Sequence, residues 1–250
     1  MEEEILNIRK KIFLTAYSAS IAHIASAFSL VEILYTLYIK KVLNYDAKNP
    51  NYEERDRLIL SKGHGSLALY TILCKAGFFN EEVLKTFSKP GSILGGEPTI
   101  PEIPGVEATT GSLGHGLSIG VGMAIAKKID NRKEKVYVIL GDGECEEGTV
   151  WEAVMMAAKK KLDNLVIIVD CNKIQKMGTV EEVMGITNWK ERFTSFGCAV
   201  KEVDGHNVNE LENVLRSENN TEKPMVIIAN TTKGKGVSIV ENDPRWHWRL

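Results

Sequence analysis

The sequence is poor in the features that would tie it to an oxidising compartment, a membrane or a polyanion. It has four cysteines, Cys74, Cys145, Cys171 and Cys198, with no Cys-x-x-Cys pair, so neither a zinc site nor a disulfide framework is expected and all four read as small apolar fillers kept reduced. No apolar run approaches the ~20 residues of a membrane span. Met1-Glu2-Glu3-Glu4 lacks the basic start and apolar core of a signal peptide, and the expectation is a cytoplasmic protein that does not engage a membrane. With 31 basic against 33 acidic residues and a net charge of −2, no global field draws the chain to nucleic acid, and a small-molecule substrate fits better. No Gly-x-Gly-x-x-Gly follows the first strand, which argues against a nicotinamide dinucleotide fold. No internal repeat or low-complexity segment is apparent.

What is present is a 250-residue chain of 44% hydrophobic composition, enough to bury the core of one α/β domain spanning residues 1–250. Apolar residues at Ile5, Ile8, Ile12, Ala16 and Ala19 predict an amphipathic helix over about Glu3 to Ala22. A second helix is expected from a Ser29 cap, with Glu32 three residues on, to about Lys41. Leu58 to Ser61 reads as a buried strand before a helix from His64 to Ala76, stopped by Gly77. From Lys89 to Ser112 glycine and proline dominate and a long loop is predicted. A helix follows over Gly114 to Lys128, whose Gly116, Gly120 and Gly122 suggest close packing. Strands at 136–140, 165–170, 198–203 and 225–230 alternate with helices at 149–161 and 207–217. That alternation predicts a doubly wound, mainly parallel sheet flanked by helices.

Two of these strands end in residues that carry chemistry. Val136 to Leu140 runs into Gly141-Asp142-Gly143, and Leu165 to Asp170 leads to Asn172. A strand–helix–strand unit leaves both strand ends opening into one crevice, where charged ligands bind. Hard divalent cations such as Mg²⁺ take oxygen ligands shared with a substrate's phosphates, and Asp142, the Asn172 amide oxygen and a following carbonyl suit this. The glycine-rich turn lets backbone N–H groups approach a diphosphate. A lone Gly-Asp-Gly also makes ordinary turns. Its pairing with Asn172 is the informative part.

Further motifs sit in the same order as in a known family. Arg55-Asp56-Arg57 leads to Ser61-Lys62-Gly63-His64, and Pro104-Gly105-Val106-Glu107 runs into Thr109-Thr110-Gly111-Ser112-Leu113-Gly114-His115-Gly116. With Gly141-Asp142-Gly143 and Asn172-Lys173-Ile174, the chain resembles, almost end to end, the diphosphate-binding half of transketolases, which use thiamine diphosphate. The resemblance implies that Asp142, Asn172 and the Ile174 carbonyl hold Mg²⁺ and that Gly141 and Gly143 flank the diphosphate. It places His64 near the diphosphate, Gly111, Ser112 and Leu113 along the aminopyrimidine, and His23 and His247 at the sugar. Glu147 falls where the family has an interface acid. The competing readings are a solvated helix-start acid for Glu147, a satisfied core histidine for His23 and a terminal aromatic anchor for His247, with Trp248 as the alternative equivalent. His115 stands where relatives commonly have glutamine, and His206 reads as part of a turn.

Two departures stand out. Ala25-Ser26-Ala27 replaces the glycines that usually follow His23, and Gly95-Gly96-Glu97-Pro98 occupies a place where transketolases typically read Gly-His-Pro. An ionised Glu97 cannot donate a hydrogen bond and repels a phosphate that comes close. A donor or acceptor sugar outside the usual phosphorylated ketoses is therefore expected. Transketolases continue into a pyrimidine-binding domain, whose glutamate activates the cofactor, and a third domain. The resemblance implies that a partner chain supplies them, in a split enzyme of α₂β₂ form that transfers a two-carbon ketol unit from a ketose to an aldose. The alternatives are one chain of a 2-oxoacid dehydrogenase or deoxyxylulose-phosphate synthase, or a cofactor-binding regulatory subunit without turnover.

Overall fold

The computed structural model describes residues 1–20, 23–186 and 188–247. Helices α1 (Glu2–Ala19), α2 (Ile24–Ser29) and α3 (Val31–Leu34) come first, followed by a π-helical turn over Tyr35–Ile39. Strand β1 (Arg57–Leu60) leads through a 3₁₀ turn at Gly63–Gly65 into α4 (Ser66–Ala76), and α5 (Glu81–Leu84) follows. After a long irregular segment come α6 (His115–Ile129), β2 (Val136–Gly141), α7 (Gly148–Lys159) and β3 (Leu165–Cys171). The chain closes with α8 (Val180–Met184), α9 (Trp189–Ser195), β4 (Ala199–Asp204), α10 (Val208–Arg216), β5 (Met225–Asn230) and a 3₁₀ turn at Pro244–His247.

The five strands form one sheet in the order β1-β2-β3-β5-β4, every pairing parallel, as expected for a doubly wound sheet. Parallel strands need apolar residues on both faces because helices cover both. Every residue of β2 and β3 is buried. Alternate side chains serve opposite cores. Tyr137, Ile139 and Ile168 pack with α1, α4 and α10, whereas Val138, Leu140 and Val169 pack with α6, α7 and α9. Each such Val, Ile or Leu contributes roughly 1.5–3 kcal/mol on burial.

Most elements lie where the apolar spacing puts them, including α1 on Ile5, Ile8, Ile12 and Ala16, and Gly77 ends α4 in the left-handed region at φ 93°. Ala22, the predicted end of the first helix, lies outside the described residues. Residues 91–114 carry no helix or strand, as their composition predicts.

The expected Ser29 cap is wrong. Helix α2 starts earlier, and the Ser29 hydroxyl bonds the Ser26 carbonyl (3.1 Å) and Asp170 (2.6 Å), while Glu32 is taken by Arg9 at 2.7 Å. Buried tertiary partners outcompete the local capping pattern here. Helices α5, α8 and α9 have no counterpart among the expected elements. Helix α8 is set by a Thr179–Glu182 capping box and α9 by the Asn188 side chain, and both are too short for periodicity to show. Of the small residues on α6, a Cβ at Gly116 would lie 2.8 Å from the Ser61 Cα and one at Gly120 2.5 Å from Val138, but Gly122 faces open space. Among the described residues no helix is long and apolar enough to cross a membrane.

Candidate functional site

Because every strand runs the same way, the segments after β1, β2, β3 and β5 gather at one edge of the sheet. They surround a cleft of about 640 Å³. Its lining brings together His23, His64, Glu97, Gly111, Leu113, Gly141, Asp142, Gly143, Glu147, Asn172, Ile174 and His247. Ser112 is near in sequence but does not line it, and Trp248 lies outside the described residues. His115 is turned outward, its Nδ1 3.1 Å from the Leu113 carbonyl. The His206 turn expectation holds, its N–H donating to Asp204 Oδ1 at 2.9 Å. The ring does more, with Nδ1 3.0 Å from Glu32 and Nε2 accepting from the Thr232 N–H at 2.8 Å.

At the strand ends, Asp142 is 3% exposed and its carboxylate accepts the N–H groups of Gly143 and Lys173. Burial pushes its pKa up to about 6, with the neighbouring Asp170 charge adding to the rise. The Asn172 side-chain oxygen accepts the Ile174 N–H at 3.1 Å, and the Ile174 carbonyl accepts from the Lys233 ammonium at 2.8 Å. A buried carboxylate, an amide oxygen and a carbonyl already next to a cationic group form a donor set suited to a hard divalent ion. The residues present therefore fit a Mg²⁺–diphosphate group. Among the described residues there is no cluster of three or more His, Cys, Asp or Glu side chains that could hold a metal, so any such site draws on amide and main-chain oxygens.

Three imidazoles form the opposite wall. The ring centres of His23 and His64 are 5.3 Å apart, those of His23 and His247 5.4 Å, and those of His64 and His247 5.9 Å. Burial, reinforced by the Lys233 and Lys62 ammonium groups, holds His23 down to about 4 and His247 to about 3, and burial keeps His64 well below its usual value. All three are neutral at pH 7. Lys233 donates to His247 Nδ1 at 2.8 Å, so the neutral ring carries its proton on Nε2. Burial, with Lys62 nearby, lowers Lys233 itself to about 8.

Below the cleft, Lys62 and Asp170 form an ion pair of 2.5 Å, with side chains 1% and 0% exposed. Asp170 also accepts from the hydroxyls of Ser29 and Thr231. Burial alone would raise its pKa, but Lys62 and these donors outweigh it and hold the carboxyl down. The motif reading did not single out Ser26, Lys62, Glu144, Gln175, Lys176 or Lys233, all of which line the cleft. The signal for Lys233 was present in Thr231-Thr232-Lys233-Gly234, a small-residue turn directly after a parallel strand. Cys145 and Cys171 flank the cleft's loops but are buried, and burial pushes both thiols up, consistent with inert fillers.

A parallel α/β sheet whose strand ends join an oxygen donor set to a wall of neutral imidazoles defines a cofactor-binding module of the phosphate- and cation-holding class. Comparison with known proteins agrees. The family described as "Transketolase, thiamine diphosphate binding domain" matches residues 4–248, and the chain belongs to it. One of the two named subunits of the apulose-4-phosphate transketolase of Phocaeicola vulgatus is 45% identical over 240 residues, covering 96% of this chain and 85% of that protein. A 6-deoxy-6-sulfo-D-fructose transketolase subunit from a Clostridium species is 39% identical, covering 94% of this chain and 85% of its own length. The solved transketolase of Campylobacter jejuni superposes with a TM-score of 0.93 at 34% identity, over 99% of this chain but 40% of that one.

Proposed function

We propose that residues 1–250 act as one domain, the cofactor-holding subunit of a split transketolase, which moves a two-carbon ketol unit from a ketose to an aldose. The observation that carries this is the cleft itself, in which Asp142, Asn172 and Ile174 lie opposite the three imidazoles. Similarity to proteins named as transketolase subunits supports it. Thiamine diphosphate, when bound, supplies the carbanion chemistry of ketol transfer. Asp142, Asn172 and the Ile174 carbonyl would hold its Mg²⁺, with Gly141, Gly143 and His64 at the diphosphate and Gly111, Ser112 and Leu113 at the aminopyrimidine.

The chain's own groups then orient the sugar. Neutral His247 presents an Nε2–H donor, and neutral His23 and His64 can each donate from one ring nitrogen and accept at the other, which suits hydroxyl groups and proton movement near neutral pH. Glu97 accepts only. Its carboxylate occupies the space a Cβ on Gly111 would take, and it brings negative charge to the cleft. The donor or acceptor is accordingly a sugar other than the usual phosphorylated ketose. The relatives named for apulose 4-phosphate and for a sulfonated deoxyfructose are in keeping with that.

The catalytic glutamate of the pyrimidine-binding domain comes from a partner chain, in an α₂β₂ assembly placed in the cytoplasm. Glu147, at the cleft rim, and the exposed Met177, Val183 and Met184 beside it lie on the side assigned to that partner. Native mass spectrometry of the chain purified from its own cells tests the reading. A second chain together with thiamine diphosphate is expected, and the complex should consume a ketose without releasing CO₂. A complex that stays free of cofactor after addition of Mg²⁺ and thiamine diphosphate would support the regulatory alternative, and CO₂ release from a 2-oxoacid would support the dehydrogenase one.

A further inference from the structure

Glu144 lies on the 3₁₀ turn over Gly143–Glu146, directly after β2, and is 2% exposed. Its carboxylate collects donors from three segments far apart in sequence. The Ser61 hydroxyl reaches Oε1 from the end of β1, the Gly114 N–H reaches the same oxygen at 2.9 Å from the start of α6, and the Gly141 N–H reaches Oε2 at 3.1 Å. Bonds from N–H and O–H groups to a buried carboxylate are among the stronger ones a fold makes.

The surrounding contacts show how closely these segments are keyed. Gly114 has φ +83°, and a Cβ there would lie 2.8 Å from the Glu147 Cβ. A Cβ on Gly63 would lie 2.9 Å from the Gly111 nitrogen. Segments 61–64, 111–114 and 141–144 thus meet around a single carboxylate, and its two oxygens set the distance between the second and the third.

We propose that Glu144 is a positioning residue that fixes the spacing between the Gly111–Gly114 loop and the Gly141–Gly143 turn, holding the two ends of one extended cofactor in register. The inference rests on the proposed function, in which the loop faces the aminopyrimidine and the turn faces the diphosphate. A two-ended ligand outbinds its diphosphate fragment only when both subsites are met at once without strain. Replacing the carboxylate by an amide sets an NH₂ group against one of the two backbone N–H donors, whichever way the amide turns. That loosens the spacing while keeping the side chain's shape.

The test is calorimetric titration of the full chain, purified with the partner it retains, against Mg²⁺–diphosphate and Mg²⁺–thiamine diphosphate. The quantity read is the ratio of the two Kd values. In Glu144→Gln the advantage of thiamine diphosphate over diphosphate should fall about tenfold, the scale of one unsatisfied buried donor. Gly114→Ala leaves the carboxylate intact but pushes the loop off it, and the ratio should fall in the same direction. It also serves as the test if Glu144→Gln does not fold. Equal weakening of both ligands, or no weakening of either, would leave the ratio unchanged, reduce Glu144 to a local fold contact and overturn the proposal. A wild-type chain with no preference for thiamine diphosphate over diphosphate would instead overturn the cofactor reading, and this proposal with it.

Discussion

Replacing Lys62 by methionine removes an ammonium group from a fully buried pair and leaves the Asp170 carboxylate behind. The pair is 2.5 Å apart with side-chain exposures of 1% and 0%, so solvent cannot take over the lost interaction. Ser29 and Thr231 would still donate to Asp170, which limits the damage. Breaking one side of such a pair costs about 3–5 kcal/mol. With an unfolding entropy of ~2.1 cal/mol/K per residue, a 250-residue chain changes by ~0.5 kcal/mol per kelvin. A loss of ~4 kcal/mol therefore lowers Tm by about 8 °C. Scanning calorimetry on cofactor-free protein reads this directly. The double variant Lys62→Met/Asp170→Asn removes both charges and should recover more than half of the loss, since an uncharged polar group in that site costs less than an unpaired charge. A Tm drop below about 2 °C for the single variant, or costs that simply add in the double, would refute the argument.

The pH dependence follows from the imidazole wall. His23 titrates near 4 in the folded protein against an ordinary 6.5, so the unfolded chain binds more protons between these values. Stability is full above about pH 6.5 and declines as pH falls toward 4, and urea titrations at pH 7.5 and 5 should show a smaller decline for His23→Gln than for wild type. A steric pair probes α6. Gly116→Ala, whose Cβ would meet Ser61 atoms at 2.5–2.8 Å, should destabilise by about 1–3 kcal/mol, whereas Gly122→Ala, with nothing within 4 Å, should be neutral or stabilise by up to ~1 kcal/mol. Thermal shift by Mg²⁺–thiamine diphosphate should be present in wild type and lost in Asp142→Asn, and an equal shift in both would remove Asp142 from the metal site. Glu97→His should raise turnover of xylulose 5-phosphate relative to wild type, and equal rates would end the specificity argument for Glu97.

The strand and long-helix assignments were legible because their apolar periodicity leaves few alternatives. Val136–Leu140 and Leu165–Asp170 can be little other than parallel strands buried on both faces, and the polar groups after them then have one edge of a sheet to occupy. Ser29 and Glu32 misled because a capping pattern is local, whereas Asp170 and Arg9, which claim those side chains, lie 141 and 23 residues away. The short helices α8 and α9 were missed because their boundaries rest on caps rather than on period.

The order of residue types along the chain was thus enough to determine the sheet, its ligand-bearing edge and the motif residues that meet there. Only the tertiary structure decided the protonation of those residues and their partners. His23, His64 and His247 become a neutral wall because folding removes them from water near two ammonium groups. Lys233 meets Ile174 and His247, and Glu144 joins Ser61, Gly114 and Gly141, because the crossovers return distant segments to one edge. Pairings of that kind depend on distances in space, and spacing along a chain carries no record of them.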